Sequence, residues 1–343
     1  MLAPMTYPRS QLIPPGSPGT FHCVSRCVRR AFLCGADSYT GQCFEHRRRW
    51  VENRLYELAD VFAVAIWGYA VMSNHLHVVV QTLPEAVETW SDDEVACRWM
   101  RLFSRQDVDD QMRSDALAGN ADRIVVLRRR LSDLSWFMRC LSEPIARRAN
   151  REDGCKGRFM SIEGRYAGFA GAKPALEGRF KCQVLLDEAA VVAARAYVDL
   201  NPVRAKICDS LDQSYHTSAK RRITDISDTP LAASRALGPI AGLGGFGVLS
   251  MTQADYLVLV DFTGRKIRSD KRGAIAGPPP AALRRLGYGS EQWTRQVMAV
   301  GSSFNRAVGQ VESLVEKAIE IGQFWLRGVS LARALATKVS GAN

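Results

Sequence analysis

Ten consecutive residues, Val71-Met72-Ser73-Asn74-His75-Leu76-His77-Val78-Val79-Val80, place two of the chain's five histidines two positions apart in a strongly β-prone run. Side chains alternate across a strand, so His75 and His77 share a face, about 6.5–7 Å apart along it, while Leu76 points the other way. Two imidazoles so placed can converge on one cation; the same spacing also suits two polar residues on the wet face of a strand end.

The neighbouring residues predict what that strand belongs to. Val64–Val71 is equally β-prone, and Ser73-Asn74 supplies turn chemistry, so a hairpin is expected with the histidines opening its second strand. Thr20–Val28 reads as an earlier strand, in which Phe21, Cys23, Val24 and Val28 are interleaved with His22 and Arg26. Gly41–Ala63 reads as an amphipathic helix with Trp50, Leu55, Leu58, Val61 and Phe62 on its apolar stripe. The basic run His46-Arg47-Arg48-Arg49 opposes the dipole at that helix's start, which points to an anion there, although a solvated basic face is the plainer explanation. Further helices are expected over Asp92–Phe103 and Ile124–Arg151, the second kinked or divided at Pro144. Gly178–Leu186 alternates basic or polar with apolar residues and predicts a strand with one face toward an anion.

Asp187 can cap a helix over Glu188–Leu200, stopped by Pro202. Within Tyr197-Val198-Asp199-Leu200-Asn201-Pro202-Val203-Arg204-Ala205, Tyr197 and Asn201 stand four apart and share a face if the last turn reaches Asn201. Ala190, Ala193 and Ala194 lie on that side in earlier turns, small enough to let the helix approach a sheet closely. A core tyrosine and a helix-stop asparagine are the plainer explanations of the same pair.

A formal charge of +11 favours a polyanionic partner, because clustered Lys and Arg release counterions from nucleic acid. The nine cysteines are odd in number and form no Cys-x-x-Cys pair, so free thiols in a reducing cytoplasm are expected. No apolar run approaches the roughly twenty residues of a membrane span, so no membrane association and a cytoplasmic location are expected. Composition divides the chain into a Pro-rich N-terminal tail (1–18), a main domain (19–225), a Ser-, Thr- and Gly-rich linker (226–250) and a mainly helical C-terminal extension (251–343). The basic run Gly264–Gly273 makes that extension a candidate DNA-binding module.

Asn74-His75-Leu76-His77, Gly178-Arg179-Phe180-Lys181 and Tyr197 through Arg204, in that order, resemble the REP-associated tyrosine transposases, a group within the single-tyrosine HUH transposases. The openings Pro8–Leu12 and Phe21–Arg30 are similar to the long members of that group, and the resemblance covers roughly residues 8–225. It implies an α+β fold: a ferredoxin-like HUH domain whose antiparallel sheet is flanked by helices, with the histidines on a central strand and the tyrosine on a late helix. It also implies metal-dependent cleavage and rejoining of single-stranded or hairpin DNA, such as palindromic repeats, through a 5′-phosphotyrosine intermediate. Tyr197 is then the nucleophile, His75 and His77 hold a divalent cation, and Asn201, one turn beyond Tyr197, is a candidate third ligand. Imidazoles favour zinc or manganese over magnesium, whereas the resemblance implies Mg²⁺ or Mn²⁺; manganese meets both expectations. Arg26, Arg29, Arg30, Arg179, Lys181 and Arg204 are the candidates for the DNA backbone. Ser73 stands where many relatives have proline, which predicts a less rigid turn. Two alternatives remain open: a domesticated protein that binds structured nucleic acid without cutting it, and a metallohydrolase that uses activated water.

Overall fold

The computed structural model of the chain describes residues 12–14, 16–27, 33–36, 41–103, 110–154, 160–161, 180–244, 249–267, 278–302 and 305–336. Its strands are β1 (Gly19–Cys27), β2 (Val64–Val71), β3 (His75–Thr82), β4 (Met160–Ser161), β5 (Lys181–Leu185), β6 (Ala236–Leu237), β7 (Ala241–Gly242), β8 (Leu249–Thr252) and β9 (Ala307–Val308). One sheet runs in the order β7-β2-β3-β1-β5-β9, with β4 also paired to β1, while β6 and β8 form a separate two-stranded ribbon. The expected hairpin is present: β2 and β3 pair antiparallel, with Val71 opposite Leu76. β1 lies antiparallel to β3 on one side and β5 on the other. β9, however, joins β5 in parallel, so the sheet is mixed rather than antiparallel throughout.

Helices cover both faces. On one, α1 (Arg47–Val61) packs against the later helix Leu134–Glu152, with Ser25 Oγ of β1 3.4 Å from Ser142 Oγ. The region expected as one helix over Ile124–Arg151 is two, α2 (Ala121–Leu131) and α3 (Leu134–Glu152). The break is not at Pro144, which sits inside α3. Ser132 turns its hydroxyl back onto Arg128 and Arg129 carbonyls, and Asp133 caps α3 by accepting from the Trp136 amide at 2.9 Å. Proline at 144 leaves the carbonyl four residues earlier, at Cys140, without its helical donor. Arg54 of α1 donates to that carbonyl instead, at 3.1 Å, so the proline joins the two helices rather than dividing one.

The anion expected at the start of α1 comes from the chain itself. The buried Arg47 pairs with Glu152 at 2.6 Å and with Asp153 at the end of α3, and His46 meets Glu152 at 2.6 Å. Arg48 pairs with Glu45 and donates to the Val71 carbonyl and to Ser73 Oγ. The turn before the histidines is therefore pinned: the Leu33 and Cys34 amides also donate to the Ser73 carbonyl at 2.6 and 2.9 Å. Those bonds supply rigidity without the proline.

On the opposite face, α4 (Glu188–Asp199) crosses β2, β3 and β5, capped by Asp187, which accepts from the Ala190 amide at 2.8 Å. Its Ala190, Ala193 and Ala194 are fully buried. α5 (Gln253–Ile267) and α6 (Ser290–Ser302) both pack against it.

The linker and extension are thereby parts of one body. β7, inside 226–250, extends the sheet beside β2, and Gly242 has φ +90° where any Cβ would collide with the Val64 carbonyl. Leu314, Val329 and Ala332 share one buried cluster with Phe21 and Val79. Even Leu12, from the stretch expected as a tail, is buried in that cluster, although residues 1–11 and 15 lie outside those described. The basic run is divided likewise: Arg265 and Lys266 end α5, and 268–277 lie outside the described residues. No helix among the described residues is long and apolar enough to cross a membrane, and Cys34, Cys43, Cys97, Cys140, Cys182 and Cys208 are free thiols.

A buried polar knot fastens α5 to α4. Asp199 accepts from Ser218 Oγ at 2.5 Å, the Ala219 amide at 2.9 Å and Tyr256 Oη at 2.6 Å. Burial pushes its carboxyl above the usual range despite these donors, and the Arg195 guanidinium lies 4.4 Å from the Tyr256 ring. Tyr256→Phe removes one donor from a buried carboxylate and should cost about 2 kcal/mol. Urea unfolding would show this as a lowered midpoint at unchanged slope.

Candidate active site

Strand register assembles the site. Residues directly opposite on paired strands point to the same side, so the pairs Arg26–His75, Val24–His77, Val24–Lys181 and His22–Gln183 put all their side chains on one face. That is the face under α4, and Tyr197 projects onto it. The His75 and His77 rings lie 4.7 Å apart, and the Tyr197 ring lies 5.7 Å from His77 and 5.9 Å from His22, edge-on to both. Residues more than a hundred positions apart in the chain therefore meet in one cluster.

His22 is the member that the sequence reading placed on a strand without assigning to the site. It is buried and stacks on His77 with ring centroids 5.1 Å apart, and its Nε2 is 2.9 Å from His77 Nδ1. Its Nδ1 is 2.8 Å from Gln183 Oε1, and Gln183 Nε2 donates to the Asn305 carbonyl at 2.8 Å. Alternation along β1 put His22 and Arg26 on one face, but nothing local says which strands lie beside β1. Both ring nitrogens of His22 are engaged, so it supports the site rather than offering a ligand. Burial lowers its pKa to about 4, and burial with the neighbouring His22, His75, Arg204 and Arg26 holds His77 well below the usual imidazole range. Both shifts favour the neutral imidazole, the state that ligates a metal.

His77 Nε2 is buried without a hydrogen-bond partner. His75 Nδ1 is 2.5 Å from Asn74 Oδ1, an acceptor, which places the proton of a neutral His75 ring on Nδ1. Asn201 opens the short helix Asn201–Arg204; it is buried, and its Nδ2 has no partner. None of the ring contacts or hydrogen bonds that join the other members, among the described residues, includes Asn201. No group of three or more His, Cys, Asp and Glu side chains among the described residues is arranged to hold a metal ion. Two imidazoles and an amide would leave about half the positions on an octahedral Mg²⁺ or Mn²⁺ ion to phosphate and water, and the unpartnered Nε2 of His77 suits a ligand.

Cations gather at this face. The Arg204 guanidinium lies 4.6 Å from the Tyr197 ring centroid, with one terminal nitrogen buried and unpartnered. Arg26 and Lys181 are half-buried on the strands beside the histidines. Arg29, Arg30 and Arg179 lie outside the described residues.

The C-terminal part reaches the same place. Gly301, near the end of α6, sits on the Tyr197 ring so closely that a Cβ there would fall far inside contact with Oη, Cζ and Cε2. The Tyr197 side chain is correspondingly buried. No sequence signal marks Gly301, since one glycine in a helix looks like a simple weakening of it.

The chain matches no protein-family model, and no curated protein or solved structure shows significant similarity to it.

Proposed function

We propose that the protein is a divalent-cation-dependent DNA strand transferase that cleaves and rejoins single-stranded, hairpin-bearing DNA through Tyr197. The observation that carries this reading is the meeting of Tyr197 with His75 and His77 over a sheet face that also bears Arg26, Lys181 and Arg204. The order β5-β1-β3-β2, with α1 and α3 together on the far face, is also what a ferredoxin-like sheet would present.

In this reading the Tyr197 hydroxyl oxygen forms a bond to the scissile phosphorus while the phosphorus–O3′ bond breaks. The tyrosine proton leaves, and the departing O3′ takes up a proton to become a hydroxyl. The product is a 5′-phosphotyrosine, and the reverse step rejoins the strand; no water or nucleotide is consumed. His75 and His77, with Asn201 the candidate third ligand, would hold the cation, which supplies charge neutralisation at a non-bridging phosphate oxygen. Arg204, beside the nucleophile, can pair with the same phosphate, and its unpartnered nitrogen leaves a donor for it. Arg26 and Lys181 would hold flanking phosphates, which position the strand without reading its sequence.

Gly301 favours a second reading. With α6 lying on Tyr197, a phosphate reaches the hydroxyl only if that contact opens, so a protein that binds structured nucleic acid without cutting it uses the same face. Incubating the protein with a 3′-labelled hairpin oligonucleotide and Mn²⁺ separates the two, because a 5′-phosphotyrosine retains the strand on the 3′ side of the cut. A covalent adduct that survives denaturation, mapped by mass spectrometry to the Tyr197 peptide, is the expected result. Tight binding with no adduct in either Mg²⁺ or Mn²⁺ would leave the binding reading standing.

A further inference from the structure

We infer that the C-terminal extension sets the tautomer of the site histidines, through a relay from the Asn305 carbonyl by way of Gln183 and His22 to His77. The inference rests on the reading of His77 as a cation ligand.

The relay has only one direction that satisfies every bond. A main-chain carbonyl cannot donate, so the Asn305 oxygen requires the NH₂ end of Gln183, found 2.8 Å away. That orientation turns Gln183 Oε1, an acceptor, toward His22, so His22 Nδ1 carries the proton of the 2.8 Å bond. A neutral His22 then has a lone pair at Nε2, and the 2.9 Å bond to His77 requires the proton on His77 Nδ1. His77 is left with a lone pair at Nε2, the buried atom with no partner. His22, Gln183 and His77 are all buried, so no bulk water is at hand to substitute for a lost link. Turning the Gln183 amide over would set its oxygen against the Asn305 carbonyl oxygen, a repulsion that no change of tautomer can relieve.

The first link is held by the fold. Asn305 is buried two residues before β9, and β9 is fastened to β5 by Val184 N to the Arg306 carbonyl at 2.7 Å and Leu186 N to the Val308 carbonyl at 2.9 Å. A few residues earlier, α6 places Gly301 on Tyr197. Gly301 and Asn305 thus meet, respectively, the nucleophile and the support of its cation ligand. Gln183 and His22 are positioning residues: they touch neither phosphate nor cation and act on the orientation and protonation of His77. Without the anchor, His22 is free to carry its proton on Nε2 and donate to His77 Nδ1. His77 would then hold its own proton on Nε2, where a cation has to bind.

The test uses the full-length protein, ¹⁵N-labelled at histidine and free of DNA. Long-range ¹H–¹⁵N correlation spectra report the tautomer of each ring, and Mn²⁺ titration followed by electron paramagnetic resonance reports affinity. Wild-type His22 and His77 should both be Nδ1–H tautomers. Gln183→Leu, which keeps an apolar side chain of similar bulk but no amide, should shift His77 toward Nε2–H. Its Mn²⁺ affinity should fall about 10–100-fold, the usual effect of losing a partner behind a metal-binding histidine. An Nε2–H tautomer at wild-type His77 would overturn the inference without any variant, and so would unchanged tautomers and affinity in Gln183→Leu. If wild type shows both Nδ1–H tautomers yet binds no Mn²⁺, the relay stands and the cation reading of the site falls.

Discussion

Tyr197→Phe is expected to yield no detectable covalent adduct while leaving hairpin binding and the fold intact. The substitution removes one oxygen, and among the described residues that hydroxyl makes no hydrogen bond, so phenylalanine orphans no partner. The ring that meets His22, His77 and Arg204 is kept, along with its edge-on contacts. Thermal unfolding should therefore match the wild type, and Mn²⁺ affinity should stay the same because no cation ligand is altered. The loss should be complete rather than partial, since no other group in the cluster can form a phosphotyrosine. The check is a labelled hairpin oligonucleotide with Mn²⁺, read on a denaturing gel. An adduct retained by the phenylalanine variant would sink tyrosine transfer. DNA cut without an adduct, lost again in His77→Ala, would point to water as the nucleophile.

Gly301→Ala should have the second-largest effect, and in a direction that helix propensity alone would not produce. Alanine stabilises a helix interior by about 1 kcal/mol relative to glycine, so an unconstrained α6 would gain from the change. Here the added methyl must occupy the space of the Tyr197 hydroxyl and ring edge. The ring cannot simply swing aside, because His22 and His77 lie on its sheet side and Arg204 stacks over it. Either α6 withdraws or Tyr197 moves. Overpacking of this kind costs about 1–3 kcal/mol, and a nucleophile displaced by about 1 Å loses about a hundredfold in rate. A lowered melting temperature together with slower adduct formation is the expected pair of results. Wild-type values for both would show that α6 does not bear on Tyr197 in solution.

The two effects draw on parts of the chain that were unequally legible. His75 and His77 could be placed on one strand face because alternation is a local rule, and the hairpin around them follows from Val64–Val71 and a Ser-Asn turn. Asp187 bounded the start of the tyrosine helix for reasons contained in a few neighbouring residues. Pro202 does not end helical structure but sits in the first turn of the short helix Asn201–Arg204 that follows Leu200. By contrast, Arg47 and Arg48 looked like a face awaiting an external anion, because their partners Glu152 and Asp153 lie a hundred positions away. Pro144 looked like a break because the Arg54 side chain that takes over the Cys140 carbonyl comes from another helix. Gly242 lay in a stretch whose composition reads as a linker, yet its glycine is required by the approach of the Val64 carbonyl across an edge strand.

By itself the sequence determined the local units: the hairpin, the capped helix, the spacing of two histidines on one face and of a tyrosine four residues before an asparagine. These depend on periodicities and caps that act over a few residues. Only the tertiary structure decided that β1 lies between β3 and β5, which brings His22 and Gln183 behind His77, and that β9 and α6 return from the far end of the chain to meet them. Those contacts arise from strand pairing and burial between segments that no local rule connects, and they turn two histidines on a strand into an ordered site.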